Sequence, residues 1–231
     1  MHNVGFRVRS NIARPPADTV RALGEMMSVD LSDAMNRGYT MAGLRPAFLP
    51  VGRIAGPAVT VSLPVGGINM LKMAMDLTQA GDILIVDVRG DVSAAMWGGN
   101  VSLGMSARGI LGVIVDGAIR DVSQLREIPF PAWSRGIATP AQNSSSPRGE
   151  INFPIACGGV VVNPGDIVVA DEDGIVVVPP LAADEILEKA GAVATKLAGW
   201  EVELREGVVP DVGLIRDELV KNGCTFVDES Q

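Results

Sequence analysis

At 231 residues with 47% hydrophobic composition, the chain can bury the core of one large domain or two small ones. A net charge of −8 with no basic block argues against direct nucleic-acid binding, and the apolar stretches fall well short of a membrane span. The only histidine, His2, lies at a terminus, which removes Ser-His-Asp and Cys-His catalysis and any histidine-ligated metal from consideration. Cys157 and Cys224 stand far apart without a CxxC partner, the usage of a reducing cytosol. The first residues carry basic groups but no apolar segment, so no secretory signal is expected and a cytoplasmic location is.

In chain order, residues 1–15 read as an arm ended by Pro15-Pro16. Asp18 is a candidate N-cap for a helix to about Met27, and a second short helix is expected over Leu31 to Arg37. Ile54 to Leu63 has strand composition. Asn69 to Ala80 repeats Met70, Leu71, Met73, Ala74 and Leu77 at helical spacing, with the methionines as core filling. Ile83 to Val86 is a buried strand ending at Asp87. A glycine-rich turn, Trp97-Gly98-Gly99-Asn100, then leads into a helix from Val101 to Arg108 closed by Gly109. The apolar run Val113 to Val115 enters a charged turn, Asp116 to Asp121.

Strand signals continue at Pro131 to Ser134, Ile151 to Phe153, Val160 to Val162, Ile167 to Ala170 and Ile175 to Val178. The polar loop Thr139 to Gly149 reads as a surface excursion or a flap. Ala80-Gly81-Asp82-Ile83 and Pro164-Gly165-Asp166-Ile167 open two strands with the same turn. Asp171-Glu172-Asp173-Gly174 lacks EF-hand spacing and reads as an acidic hairpin turn. A long helix over Leu181 to Arg205 and a short one over Asp211 to Asn222 follow Pro179-Pro180. The long one is a candidate oligomer interface.

The stretch Gly81 to Val122 concentrates the chemistry. Strand, glycine turn, helix, strand and charged turn form an α/β binding-site pattern, in which backbone N–H groups hold an anion and Arg120 clamps it. Residue types alone leave two readings of Arg120-Asp121. The pair grips a carboxylate and a hard cation, or Asp121 caps a Val122 to Arg126 turn with Arg120 as a surface ion-pair partner.

Short motifs in one order add a resemblance. They are Leu31-Ser32-Asp33-Ala34, Ala55-Gly56-Pro57-Ala58-Val59-Thr60, Trp97-Gly98, Ala107-Arg108-Gly109, Asp116 to Asp121, Cys157-Gly158-Gly159-Val160 and Pro164 to Asp171. Over about residues 28–179 the chain resembles the 4-hydroxy-4-methyl-2-oxoglutarate aldolase family, which also holds the regulator of ribonuclease activity A (RraA) proteins.

The resemblance implies an α/β fold, layered β/β/α of the swivelling phosphohistidine-domain type. It implies one RraA-like domain over residues 1–231 with C-terminal helices at 181–222, and a homotrimer or hexamer with sites between subunits. It also implies a lyase that uses Mg²⁺ or Mn²⁺ to release pyruvate from a 2-oxo acid. Carried onto this sequence, Asp121 is the metal ligand and Arg120 the catalytic, pyruvyl-binding arginine. Gly98, Gly99, Asn100 and Val101 form the carboxylate-binding turn.

Two positions depart from the family. Gly99 stands where aldolase-active members carry an acid, twenty-one positions before Arg120. Leu197 follows Lys196 where many members have a glutamate, with Glu201 and Glu203 the nearest acids. Loss of a proton acceptor damages aldol cleavage more than decarboxylation, which has no hydroxyl proton to remove. Asp87, Asp91 and Asp116 are candidate substitutes. The rival function is a catalytically idle, protein-binding regulator of a ribonuclease. A methyltransferase lacks its glycine-rich strand-to-helix fingerprint here.

Overall fold

The computed structural model describes residues 3–63, 68–142 and 148–227. It divides into two compact units, Met1–Ala190 and Gly191–Gln231. The first is a mixed α/β fold built on a ten-stranded mixed sheet.

Its centre is four strands, β3 (Ile54–Ser62), β4 (Ile83–Asp87), β6 (Gly112–Ile119) and β7 (Ala132–Ile137), of which β4 and β6 are buried throughout and β7 over its first half. The pairs β3–β4, β4–β6 and β6–β7 are parallel. Strand geometry sends successive side chains to opposite faces. Val59, Val61, Leu84, Val86, Val113 and Val115 therefore share one core with residues of α3 (Ile68–Leu77), α4 (Gly99–Ala107) and α5 (Val122–Glu127). Ala58, Ile83, Ile85, Ile114 and Trp133 point the other way, against β9 (Ile155–Cys157), β10 (Val160–Val162), β11 (Ile167–Ala170) and β12 (Ile175–Val178). A third core joins the far sides of β11 and β12 to α1 (Ala17–Gly24), α2 (Ser28–Ala34) and the start of α6 (Ala183–Arg205). Edges are supplied by β1 (Phe6–Val8) on β8 (Gly149–Ile151) and by β2 (Arg45–Pro46), while β5 (Ala95–Trp97) lies parallel to β6.

Several boundaries differ from expectation. Asp18 sits inside the first turn of α1, with Pro16 at the cap, and it pairs with Arg21. The second helix starts and ends about a turn earlier than expected, because Asn36 and Arg37 adopt left-handed backbone that stops it. β6 runs on through Asp116 to Ile119, so only Arg120 and Asp121 form the charged turn. There a polar side chain on a strand hid the continuation: Asp116 is buried and paired, not solvated. Strands as short as β1, β2, β5 and β9 carry too few residues to show alternation.

The two Gly-Asp-Ile turns are one solution used twice. Gly81 and Gly165 lie at φ +90° and +89°, a conformation that favours glycine. Asp82 accepts the Gln79 N–H and Asp166 the Asn163 N–H, both at 2.7 Å. Asp82 also receives Arg14 through Nε at 2.9 Å and Nη2 at 2.8 Å, which fastens the N-terminal arm to the start of β4. Asp171 behaves as a hairpin turn does, its carboxylate taking the N–H groups of Ser28, Asp173 and Gly174. Among the described residues no helix is long and apolar enough to cross a membrane.

The second unit holds the distal turns of α6 and all of α7 (Val212–Lys221). Lys196 lies 4.5 Å over the Trp200 ring and Arg216 4.3 Å over Phe226.

Arg14→Ala leaves the Asp82 carboxylate, 1% exposed, without its ion-pair partner. Because the Arg14 side chain is itself a quarter exposed, the expected loss in urea unfolding is roughly 2–3 kcal/mol, below that of a fully buried broken pair. A loss under about 0.5 kcal/mol, the level of an exposed pair, would show that this contact does not hold the arm.

Candidate active site

Two parallel-paired strands, β5 and β6, end side by side. At their carboxyl ends, where ligands gather in α/β sheets, each chain turns into a helix. Trp97 is followed by Gly98 at the N-cap of α4, and Ile119 by Arg120 and by Asp121 at the N-cap of α5. The Arg120 N–H donates to the Trp97 carbonyl at 3.0 Å, tying the two junctions together.

Asp121 does not cap its own helix with its side chain. Its backbone is left-handed (φ 62°, ψ 38°), which aspartate tolerates better than most residues. The carboxylate turns towards the neighbouring junction, where Oδ2 accepts the Gly99 N–H at 3.1 Å and lies 3.6 Å from Arg120 Nε. Asp121 takes the cap position of α5, but its side chain satisfies the first turn of α4 instead. The next α4 amides, Asn100 and Val101, are first-turn donors with no intrahelical acceptor.

Gly98 is glycine for space. Its backbone is extended (φ −165°), but an added Cβ would lie 2.6 Å from Asp121 Oδ2 and 3.2 Å from Arg120 Cγ. The turn is braced from below by Ser102, which accepts the Trp97 Nε1–H at 2.7 Å and donates to the Gly98 carbonyl at 3.1 Å. Trp97 in turn stacks on Phe130, centroids 6.0 Å apart.

Gly98, Asn100, Val101, Arg120 and Asp121 line one cleft of about 200 Å³, small enough to suit a metabolite rather than a drug-sized molecule. Gly99 lies buried behind them. The cleft wall also includes Ile68, Met96, Ala141 and Gln142, none of which was singled out from sequence. Ala141 and Gln142 lie near the start of the polar Thr139 to Gly149 loop, where the Ala95 N–H donates to the Pro140 carbonyl at 2.8 Å and the Gln142 N–H to the Ala95 carbonyl at 2.9 Å; residues 143–147 lie outside the described residues.

The three acids considered as substitutes for one at 99 do not line this cleft. Asp87 and Asp116 sit opposite each other on β4 and β6. Burial, with the Asp116 charge adding, pushes the Asp87 carboxyl above its ordinary range. Asp116 pairs with Arg135 and accepts the Gly158 N–H at 2.9 Å. The Cys157 thiol nearby is pushed far up by burial and is an inert core group. Asp91 holds the Ser93 N–H. Glu201, Glu203 and Lys196 belong to the second unit, where Glu201 pairs with Arg205.

Among the described residues lining the cleft, Asp121 supplies the one carboxylate that a hard cation could use. Among the described residues no three His, Cys, Asp or Glu groups come together to hold a metal, but the Asp121 side chain is 38% exposed. A single accessible carboxylate fits Mg²⁺, which keeps most of its waters, and fits softer metals poorly.

The RraA-like family profile, described as Aldolase/RraA, matches residues 28–177. A Halalkalibacterium halodurans protein, named provisionally as a 4-hydroxy-4-methyl-2-oxoglutarate aldolase, is 40% identical over 73% of this chain and 78% of its own. The Thermus thermophilus 4-hydroxy-4-methyl-2-oxoglutarate aldolase is 32% identical over 67% of this chain and 93% of its own. Among solved structures, Streptomyces coelicolor RraAS2, described as an unusual member of the RNase ES inhibitor RraA protein family, superposes with a TM-score of 0.71. It is 30% identical, over 84% of this chain and 99% of that one.

Ser102→Ala strands the buried indole N–H of Trp97 and should cost about 1–3 kcal/mol in chemical denaturation. An unchanged midpoint would show that the indole finds another acceptor and that Ser102 does not brace the turn.

Proposed function

The chain belongs to the RraA-like (Aldolase/RraA) family, and we propose that it is a divalent-metal-dependent lyase releasing pyruvate from a small 2-oxo acid. Oxaloacetate decarboxylation is favoured over aldol cleavage in this reading. The observation that carries it is the convergence of Arg120, Asp121 and the first-turn amides of α4 on one small cleft.

The roles follow from the chemistry of each group. The Arg120 guanidinium offers a planar fork to the carboxylate and keto oxygens of a pyruvyl unit. The amides of Asn100 and Val101, with the positive end of α4 behind them, hold the carboxylate. Asp121 would hold Mg²⁺ or Mn²⁺, which when bound would supply Lewis acidity to the developing enolate charge. The Gly99 N–H fixes the carboxylate of Asp121 in place.

The cleft walls contain no second carboxylate besides Asp121 among the described residues. In this reading the described residues of the cleft offer a hydroxyl proton no dedicated acceptor, and aldol cleavage is the handicapped reaction. The wider reading includes the layered scaffold of swivelling phosphohistidine-domain type, a homotrimer or hexamer and a cytosolic location.

A lactate dehydrogenase-coupled assay over a panel of 2-oxo acids tests the reading. Metal-dependent pyruvate release supports it, whereas no release from any of them, together with tight binding to a ribonuclease, supports a regulator instead.

Arg120→Lys should fold normally yet lose most turnover, since a lysine is only a point charge. Near-wild-type rates in that variant would take Arg120 out of the mechanism. Chelator should abolish activity and Mg²⁺ or Mn²⁺ restore it, while Asp121→Asn should need far more metal for half-maximal rate. Full activity in chelator would end the metal assignment.

A further inference from the structure

The cleft is divided by chemistry. In the reading above, Arg120, Asp121 and the first amides of α4 serve the pyruvyl unit and its cation. The lining left for the rest of a substrate is largely apolar, made by Ile68, Ala95, Met96, Val101 and Ala141. Ile68 opens α3, and both it and Val101 pack on the core beneath, so this wall is anchored. Arg120 is the only Lys, Arg or His among the described residues of the lining. Residues 64–67 and 143–147, outside the described residues, contain none by sequence. The remaining polar groups are the neutral carboxamides of Asn100 and Gln142, and Asn100 Oδ1 already accepts the Gln124 Nε2–H at 3.2 Å. A carboxylate placed on such a wall loses water and gains no counter-charge, which is costly.

We propose that the wall headed by Ile68 is the subsite for the leaving carboxylate of a 2-oxo acid carboxylated at C3, and that it selects against substrates whose distal carboxylate survives the reaction. The inference rests on the lyase reading above.

In oxaloacetate the C3–C4 bond breaks, its electron pair passes into the enolate of pyruvate and C4 leaves as neutral CO₂. One proton from solvent then converts the enolate to pyruvate. The C4 charge disappears as the bond breaks, so a poorly solvating wall penalises the ground state more than the transition state. Cleavage of 4-hydroxy-4-methyl-2-oxoglutarate differs. Its distal carboxylate passes with its charge into the second pyruvate, and the wall penalises both states alike.

The first test uses the wild type with Mg²⁺ and compares two inhibitors of oxaloacetate decarboxylation. In 4-methyl-2-oxopentanoate an isopropyl group replaces the C4 carboxylate of oxaloacetate, whereas 2-oxoglutarate keeps a distal charge. The neutral-tailed acid should bind at least about 10-fold more tightly. The second test compares Ile68→Lys with Ile68→Met, a neutral control of similar length, alongside thermal melting. Ile68→Lys stabilises the carboxylate that must be lost, so kcat and KM for oxaloacetate should fall together, each by about 5-fold or more. For 4-hydroxy-4-methyl-2-oxoglutarate it should lower KM at unchanged kcat, the mark of uniform binding. Ile68→Met should do neither.

An active wild type that binds 2-oxoglutarate as tightly as the neutral-tailed acid overturns this inference alone. So does a folded Ile68→Lys that matches Ile68→Met on oxaloacetate, or that lowers KM with kcat unchanged. Should Ile68→Lys fail to fold, the inhibitor comparison decides. A wild type that releases pyruvate from neither substrate overturns the lyase reading and this inference with it.

Discussion

The hydrogen bond from the Gly99 N–H to Asp121 Oδ2 is the contact on which the cleft depends. It joins the start of one helix to the start of another across two neighbouring strand ends. The bond needs three conditions at once. Asp121 must hold a left-handed backbone so that its carboxylate leaves its own helix. Gly98 must lack a side chain, because a Cβ would collide with that carboxylate. β5 must also run parallel to β6, so that both chains turn at the same end of the sheet. A non-glycine residue in sparsely populated backbone persists where its surroundings over-determine it, and such residues gather at functional sites. Here the surroundings are the Trp97–Ser102–Gly98 chain of hydrogen bonds below and the Arg120 guanidinium alongside.

The parallel centre of the fold was readable in the sequence because its strands are apolar on both faces. Ile83 to Val86 and Val113 to Val115 allow no other placement once turns bound them. Motif order and residue chemistry also pointed to Arg120-Asp121 and the turn at Gly98 to Val101, which the fold brings together. The extension of β6 was hidden because Asp116 looks like a turn residue until Arg135 and the Gly158 amide are seen to satisfy it. β5 was hidden by its length. The far wall of the cleft comes from Ile68, Ala141 and Gln142, which belong to two distant stretches and meet the others only in three dimensions. Gln124 carried a usable signal, since three residues along a helix from Asp121 shares its face, but its contact with Gly99 depends on how two helix starts approach each other.

The distribution of acids separates scaffold from chemistry. Asp82, Asp166 and Asp171 are buried and accept backbone N–H groups beside a strand end, Asp82 taking Arg14 as well, Asp171 the Ser28 hydroxyl and Asp166 the Asn163 side chain. Asp116 holds an arginine and a backbone amide between the sheet layers. A carboxylate so fully engaged has little capacity left for a ligand, and disturbing it exposes a buried unpaired charge. Asp121 differs in kind. It gives one oxygen to Gly99, sits against the guanidinium of Arg120 and remains more than a third exposed. In a chain with 27 acidic residues, that contrast in engagement identifies a candidate ligand better than counting carboxylates does.

The same reasoning explains why a neutral residue beside Gly99 has consequences beyond packing. An acid there would stand close to Asp121, whose Oδ2 already accepts the Gly99 N–H. Two carboxylates so near each other raise one another's pKa unless a cation lies between them. An acidic side chain at 99 would therefore weaken the protein unless a cation lay between the two carboxylates. A carboxamide avoids that repulsion and still packs against the helix start and anchors Asn100. Gln124 thus fills the space beside Gly99 without adding a charge next to Asp121.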